Sequence, residues 1–420
     1  MPTTLAPPPV RPSVVSVDVI VSAPNPAPPA RTPLPIRVRR LANLATVAVL
    51  FLGLGLPLFG FLFRDPPPLD ENRARHPLPP LALKRHVLQD FPQWFSMYFK
   101  DRVGYRDVLL SWHRHATFRW LDMPVSSQAW VGKDGWVYLN VADPFVRHPE
   151  KGSLNDRVDR WCEAFADRRA YLAARGIEYV VVLVPEKSAV YPDHLTGHSK
   201  RHPPPEPLAR AERKLRDAGV SCANLLPAFL AAKEKGPEPL YFATDSHWTP
   251  AGSRIGYDAV CETLTVKFGN FRPHPESHYL RRDHDHPGDL LRLTGDTDRA
   301  PEPCRQFLPP TGAVTVDEAP AFAALLPDAM KPKHLPPLAF ANPTAAGPGV
   351  VFLRDSFGDA LLPFVGTDFP RVAAVGTHHF PTAVIDREKP AMVIQEIAAR
   401  FLYSTSPANE PAVTGYRQRR

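Results

Sequence analysis

From Leu41 to Phe63 the chain runs for 23 residues without a charge, and beyond it short β-branched runs alternate with helical periodicities. Twenty-three uncharged residues are enough to cross a hydrocarbon core with some tilt, and more than the apolar part of a secretory signal needs. Pro57 and three glycines within the run are tolerated in a membrane helix and would weaken a soluble one. Residues 41–63 are therefore predicted to be a transmembrane helix in the lipid bilayer. The forty residues before it hold eleven prolines and no periodicity, which predicts a disordered arm over 1–40. Residues 64–85 read as a proline-rich linker.

The pattern from residue 86 to 404 predicts one α/β domain. Phe91, Trp94, Phe95, Tyr98 and Phe99 recur at helical spacing, followed by a basic, aromatic helix around Val108–Trp120. An aromatic stripe of this kind can lie on a membrane surface, and core is the favoured reading. Gly132 to Tyr138 reads as a tight turn entering a strand. A helix is expected from Asn155 to Ala173, capped by Gly176, and then Ile177–Val184 forms a continuous β-branched run. Such a run suits a parallel strand buried on both faces. A helix over 208–218, a strand over Val220–Leu225 and a helix from Pro250 to about Val266 follow, with Thr249 and Pro250 as N-cap and first turn. Val350–Leu353 is the next buried strand, with a helix over Phe357–Val365. Arg371–Val375 and Ala391–Ile394 are two more strands, the second running into a helix over Gln395–Leu402. Residues 270–345, rich in Pro, His and Asp, are expected to be an irregular insertion, and 405–420 a C-terminal tail. Alternating strands and helices predict a sandwich around a mostly parallel sheet.

The net charge of +7 belongs to the tails. Residues 1–40 carry five arginines and one aspartate, and 405–420 carry three arginines and one glutamate, so the body between them is nearly neutral. That distribution excludes a basic nucleic-acid face. Arg31, Arg37, Arg39 and Arg40 precede the apolar run while Arg64 alone follows it closely, which places the N-terminus in the cytoplasm and the large domain outside. In a bacterium this means a single-pass inner-membrane protein with a periplasmic domain. Cys162, Cys222, Cys261 and Cys304 have no metal-ligand spacing, and both disulfides and buried free thiols fit them.

Two distant segments carry candidate chemistry. Asp245-Ser-His247-Trp248 sits just ahead of a helix start, and Arg354-Asp355-Ser356 sits between a buried strand and a helix. A serine hydroxyl needs a base to take its proton, and a carboxylate on the base's other ring nitrogen fixes the tautomer. Ser356 would stand at the carboxyl edge of the sheet, where open α/β folds bind ligands and where N–H groups can receive an oxyanion. The catalytic set is then Ser356, His247 and Asp245. The plainer reading is a helix cap, a surface histidine and a locally satisfied carboxylate. Tyr241 and Trp248 flank the base as a candidate sugar-stacking floor, with aromatic core as the alternative. Arg400 and Glu396 lie at helical spacing; Arg400 is a candidate substrate contact, and a surface ion pair is the alternative. A rival cluster, His278, Asp283, His284, Asp285 and His286 with His378 and His379 further on, lacks metal-site spacing. No metal or cofactor is assigned.

The motifs from about residue 70 to 404 resemble the alginate O-acetyltransferase family, membrane-anchored SGNH-hydrolase-like proteins. The resemblance rests on Glu71-Asn72-Arg73, Phe91-Pro92, Asp101-Arg102 with Tyr105-Arg106, Gly132 to Trp136, Val184-Pro185-Glu186-Lys187, Asp245-Ser246-His247-Trp248, Asp355-Ser356-Phe357 and Glu396 to Arg400. It implies an SGNH-hydrolase-like three-layer sandwich with a mostly parallel sheet, in which Asp245 orients His247 and His247 activates Ser356. It also implies O-acetylation of an extracytoplasmic polysaccharide through an acetyl-serine, fed by a membrane O-acyltransferase partner. Arg354 stands where many relatives have glycine, and a carbohydrate-binding module after Arg400 is not expected from the residues that follow it. A carbohydrate acetyl esterase with the same triad, and a non-catalytic anchored scaffold or carbohydrate-binding subunit, remain open alternatives. The polymer and the acylated position are not legible.

Overall fold

The computed structural model describes residues 36–63, 76–78, 85–105, 108–109, 112–113, 128–140, 153–196, 200, 207–236, 238–269, 271–294, 296, 298–311, 314–318, 320–326, 335–408, 410 and 412–419. Most of the arm over 1–40, most of the linker over 64–85, the Glu71-Asn72-Arg73 tract, Arg106 and most of the helix expected around Val108–Trp120 lie outside them. The chain divides into two compact units, Met1–Asp107 and Val108–Arg420.

In the first unit, helix α1 spans Ile36–Phe63, and its segment Asn43–Phe63 is long and apolar enough to cross a membrane. Its far turn is fastened to the loop after helix α2 (Arg85–Lys100). Gly104 N–H donates to the Pro57 carbonyl at 3.1 Å. A Cβ on Gly104 would lie 2.1 Å from Gly60 Cα, so glycine at both positions permits this approach. Asp101 is buried and accepts both the backbone N–H and the ring of His76 at 2.8 Å. The aromatic stripe of α2 departs from the core reading. Phe91, Trp94, Tyr98 and Phe99 are half-buried and Phe95 is exposed, stacked mainly on one another and on Phe61.

The second unit carries an antiparallel hairpin, β1 (Ala129–Val131) and β2 (Val137–Leu139), and is built on a seven-stranded sheet. Its strands are β3 (Glu178–Val184), β4 (Ser221–Asn224), β7 (Thr315–Glu318), β8 (Leu338–Ala341), β9 (Val350–Arg354), β10 (Arg371–Gly376) and β11 (Met392–Ala398), in the order β4-β3-β11-β9-β10-β8-β7. The first five in that order are parallel, and β8 and β7 close one edge antiparallel. Burial on both faces explains why β3 and β9 read as nearly unbroken apolar runs. Val181, Leu183, Val351, Leu353, Ala373 and Val375 face one core, under helices α3 (Leu154–Ala173) and α4 (Leu208–Asp217). Val180, Val182, Phe352, Val372 and Ala374 face the other, under α5 (Leu226–Lys235) and α6 (Pro250–Phe268). These are the three layers of the predicted sandwich.

Local signals account for most boundaries. Ser153 caps α3 with a reciprocal Ser153–Asp156 capping box, and Gly176 turns at φ +70° into β3. Thr249 caps α6 by accepting from Gly252 N–H, with Pro250 in the first turn. Two expectations are corrected. Residues 270–345 are not irregular: Leu280–His286 (β5) pairs antiparallel with Glu302–Leu308 (β6), and β7 and β8 belong to the main sheet. The last central strand runs on to Ala398, so Glu396 is a strand residue and only Ala399–Ser404 is helical. The four cysteines are all unpaired thiols.

Candidate active site

The carboxyl ends of β3, β11, β9 and β10 lie side by side, and β3, β11 and β9 each release into a short segment that enters the site. After β9, Asp355 is buried and locks the turn. Its Oδ1 accepts from Phe357 N–H and its Oδ2 from Ala398 N–H, both at 2.8 Å, while its own N–H donates to Glu396 Oε2 at 2.9 Å. Burial first, then the neighbouring Asp355 carboxylate, raises the Glu396 carboxyl well above its ordinary range. Ser356 follows with ordinary backbone angles (φ −67°, ψ −22°) and opens the 3₁₀ turn Phe357–Leu361. Phe357 N–H is committed to Asp355, which removes it from the expected oxyanion donors; Ser356 N–H has no acceptor among the described residues. Arg354 is buried, ion-pairs with Asp359 across the serine and reaches the Pro336 carbonyl, so its side chain braces the turn.

The base arrives on the loop between Leu240 and Thr249, pinched shut by a Tyr241–Trp248 bridge and by Thr249 N–H donating to the Leu240 carbonyl. Asp245 Oδ1 accepts both the backbone N–H of His247 at 2.8 Å and its Nδ1 at 2.7 Å. Asp245 Oδ2 accepts from Asp289 N–H at 2.9 Å and lies 3.0 Å from His286 Nε2. On the far side of the ring, His247 Nε2 is 2.8 Å from Ser356 Oγ. Burial alone would raise the Asp245 carboxyl, but the bonds from His247 and His286 outweigh it and hold it well below the usual carboxylate range. Burial also disfavours the His247 imidazolium, and Asp245 outweighs that, so the imidazole pKa is raised. Asp245, His247 and Asp289 come close enough to resemble a cation site. The carboxylate oxygens of Asp289, however, are engaged by Ser246 N–H at 2.7 Å and Ser246 O–H at 2.6 Å.

Three residues that sequence reasoning did not single out as parts of the site hold the loop. Lys187, just past β3, is buried and donates to the carbonyls of Phe242, Ala243 and Asp245 at 3.0, 3.1 and 2.7 Å. Burial pushes its ammonium down to about 7, against the pull of the Asp289 and Asp245 carboxylates. Glu302 on β6 accepts from Ala243 and Thr244 N–H at 2.9 and 2.7 Å. Asp289 follows Gly288, where a Cβ would meet Thr244 Oγ1 at 2.3 Å. The close Gly-Asp pair after His286 is the one sequence sign of this packing. Lys187→Met removes the donors while keeping side-chain length. It is expected to lower kcat on an aryl ester on the order of 10²-fold through loop misplacement, and to lower Tm by several degrees. A kcat equal to that of the parent chain would show that the loop holds without it.

The proposed substrate contacts fall differently. Tyr241 is fully buried and spends its hydroxyl on the Pro185 carbonyl, so it is core rather than a sugar floor. Trp248 is nearly buried, stacked on Phe229 and edge-on to Phe357, with only a margin reaching the cleft beside His247. Arg400 makes a bidentate pair with Glu186 at 2.8 and 2.9 Å and donates to the Ser246 carbonyl at 3.3 Å, so it fastens the base loop to β3 instead of reaching outward. The histidine cluster of the insertion is dispersed: His286 stacks on Phe242, and Asp283 and Asp285 are exposed on strand β5.

With this geometry in place, residues 129–335 match the family described as SGNH hydrolase-like domain, acetyltransferase AlgX. That stretch is just under half of the chain, and it is similar to the SGNH-like domain of that family. The chain is 28% identical over 261 residues to the probable alginate O-acetylase AlgJ of Pseudomonas aeruginosa, a match covering 59% of this chain and 54% of that protein. It is 30% identical over 137 residues to the alginate biosynthesis protein AlgX of the same organism, covering 31% and 27%. The match thus spans about half the length of the first of these relatives and a smaller part of the second. Among solved structures, the O-acetyltransferase domain of Pseudomonas putida AlgJ aligns with a TM-score of 0.48 at 17% identity, covering 70% of this chain and 99% of that one. Bacillus cereus PatB1 aligns at 0.49 and 16%, covering 66% and 97%. The family match agrees with the SGNH-like α/β fold and its mostly parallel sheet, and its span of 129–335 contains Asp245 and His247 and ends before Ser356.

Proposed function

We propose that this chain is a membrane-anchored O-acetyltransferase that acetylates hydroxyls of an extracytoplasmic polysaccharide through an acetyl-serine on Ser356. The observation that supports this most is the unbroken hydrogen-bonded line from Asp245 through His247 to Ser356, with 2.7 and 2.8 Å contacts. In this reading His247 Nε2 takes the serine proton as Oγ attacks the donor carbonyl, and returns it to the departing oxygen. Asp245 holds the imidazole with Nδ1 protonated and Nε2 free to accept, and stabilises the imidazolium that forms. A sugar hydroxyl then gives its proton to Nε2, attacks the acetyl carbon and releases Oγ. Ser356 N–H is the donor available to the oxyanion.

Residues 41–63 serve as the anchor, with the N-terminus cytoplasmic and the domain periplasmic, by the arginine excess ahead of the apolar run. A periplasmic enzyme has no cytoplasmic acetyl-CoA, so the donor side is assigned to a membrane O-acyltransferase partner. The curated relatives are named for alginate acetylation and alginate biosynthesis, and a polysaccharide acceptor follows by analogy with them.

The test is to incubate the detergent-solubilised full chain with an aryl acetate and candidate oligosaccharides, following acetylated sugar and free acetate by mass spectrometry across pH. Acetyl-sugar as the main product supports transfer; acetate alone would make the protein an esterase. Only neutral imidazole accepts the serine proton, and Asp245 raises the His247 pKa above its ordinary 6.5. The acidic limb of the rate profile is therefore expected above pH 6.5, with activity lost as pH falls through it. A limb below that value would contradict the Asp245–His247 coupling.

A further inference from the structure

Ser356 stands in the wall of two separate clefts. One, of about 390 Å³, contains His247 together with Phe242, Trp248, Gln306 and Phe307. The other, of about 440 Å³, is lined by Thr377, His378, Phe401, Ser406 and Ala408, and does not include His247. The second cleft has no part in the proton path described above.

We propose that the two clefts divide the transfer reaction: the His247 cleft receives the oxygen partners in turn, and the Thr377–His378 cleft holds the acyl group, with room for an uncharged chain of three or four carbons. This rests on the proposed acyl-serine chemistry and goes beyond it. In the first half-reaction the Oγ–carbon bond forms, the donor's carbon–oxygen bond breaks, and the proton passes from Oγ through His247 Nε2 to the departing oxygen. In the second, the sugar oxygen forms the new ester, the Oγ–carbon bond breaks, and the sugar's proton returns through Nε2 to Oγ. Both the leaving and the entering oxygen must therefore stand within reach of Nε2, which places both on the His247 side. The tetrahedral carbon has two other substituents, the oxyanion and the acyl chain, and the chain points away from the leaving oxygen into the cleft on the other flank of Ser356.

That cleft is far larger than an acetyl group requires. A methyl group is comparable to a water molecule, whose share of liquid volume is ~30 Å³. The wall offers the His378 and Phe401 rings, 4.2 Å apart, for aliphatic carbons, and the hydroxyls of Thr377 and Ser406 for a polar substituent. It disfavours an anionic acyl group. Asp355 already supplies a buried carboxylate there, His378 Nε2 lies 3.7 Å from it, and Arg354 is ion-paired with Asp359. The Arg160 guanidinium at the cleft's edge is engaged too, donating to Ser406 Oγ at 3.3 Å, so a second carboxylate would meet the Asp355 charge with the neighbouring guanidiniums already committed.

The experiment compares hydrolysis of aryl acetate, aryl butyrate and aryl hemisuccinate by the full chain in detergent. The parent protein is expected to turn over butyrate within tenfold of acetate, and hemisuccinate at least a hundredfold more slowly than butyrate. Ala408→Trp, which narrows the second cleft from an irregular segment, is expected to lower the butyrate-to-acetate ratio at least tenfold. A parent that discriminates more than tenfold against butyrate, a hemisuccinate rate approaching that of butyrate, or an unchanged ratio in Ala408→Trp each overturns the acyl-cleft assignment and leaves the triad standing. Undiminished acetate turnover by Ser356→Ala would instead overturn the underlying acyl-serine reading. The parent's own ester preference decides the matter even if the Trp variant does not fold.

Discussion

Ser356→Ala is expected to eliminate acyl transfer, lowering kcat by about 10⁴- to 10⁶-fold, while the protein keeps its Tm within a degree or two. The two halves of this expectation have separate causes. In the proposed chemistry the hydroxyl forms the covalent intermediate, and among the described residues its hydrogen-bonded side-chain partner is His247 Nε2. Its loss, by contrast, leaves the turn intact. Ser356 makes no capping bond with its side chain, and the turn is held by Asp355, Glu396 and Ala398. Acyl-enzyme trapping with an aryl sulfonyl fluoride and intact-mass measurement gives a second readout: one adduct on the parent and none on the variant. A variant that still acetylates polymer in cells would reduce Ser356 to a structural residue and leave the scaffold alternative in possession.

Asp245→Asn is expected to cost about 10⁴-fold in kcat, and some stability as well. The carboxylate accepts on both oxygens: two donors from His247 on one side, Asp289 N–H and the nearby His286 Nε2 on the other. An asparagine has one acceptor oxygen and one donor nitrogen. With the oxygen toward His247, its NH₂ confronts Asp289 N–H; with the amide flipped, it faces Nδ1 and forces the tautomer that leaves Nε2 protonated and unable to act as base. Either arrangement leaves a buried donor unsatisfied, worth about 1–3 kcal/mol of stability. Because the carboxylate's pull on the imidazole is lost, residual activity is expected to show its acidic limb at lower pH than the parent. Steady-state kinetics across pH check both points, and a variant within tenfold of the parent would show that His247 needs no carboxylate.

The central layer of the fold was written in the sequence because a parallel strand buried on both faces has little room for polar residues. Ile177–Val184 and Val350–Leu353 therefore stood out as continuous runs, close to the strands Glu178–Val184 and Val350–Arg354. The failures have the same origin. β11 hides Gln395 and Glu396 in the core, Gln395 accepting from Tyr179 and Arg168 and Glu396 from Asp355, so polar residues masked the strand's last turn toward the site. β5 and β6 carry charged and histidine side chains along a half-exposed ribbon, and β7 and β8 form an edge of the sheet, so neither pair offers the apolar run of a central strand. Within the candidate site, Asp245, His247 and Ser356 could be picked out because the proposed chemistry restricts the residue types, and the structure brings the three into one hydrogen-bonded line. Lys187, Glu302 and Asp289 could not, since a lysine bound to three carbonyls looks in sequence like any other lysine. Arg400 and Tyr241 were given outward roles that burial and satisfied hydrogen bonds withdraw.

Acid and base sit two residues apart on one clamped loop, whereas the serine comes from a strand more than a hundred residues later. The hydrogen bond on which the proposed proton transfer depends is thus the one that joins the two halves, the 2.8 Å contact between His247 and Ser356. Phe357 lies beneath that contact, its ring 4.8 Å from the imidazole and 5.3 Å from Trp248. Under the proposed chemistry, turnover would work as a strain gauge for the sheet. Core substitutions that slide β9 against the base loop by a fraction of an ångström will register in rate well before they register in melting temperature, and a library sorted by activity would map the mechanical stiffness of this interior rather than its thermodynamic depth.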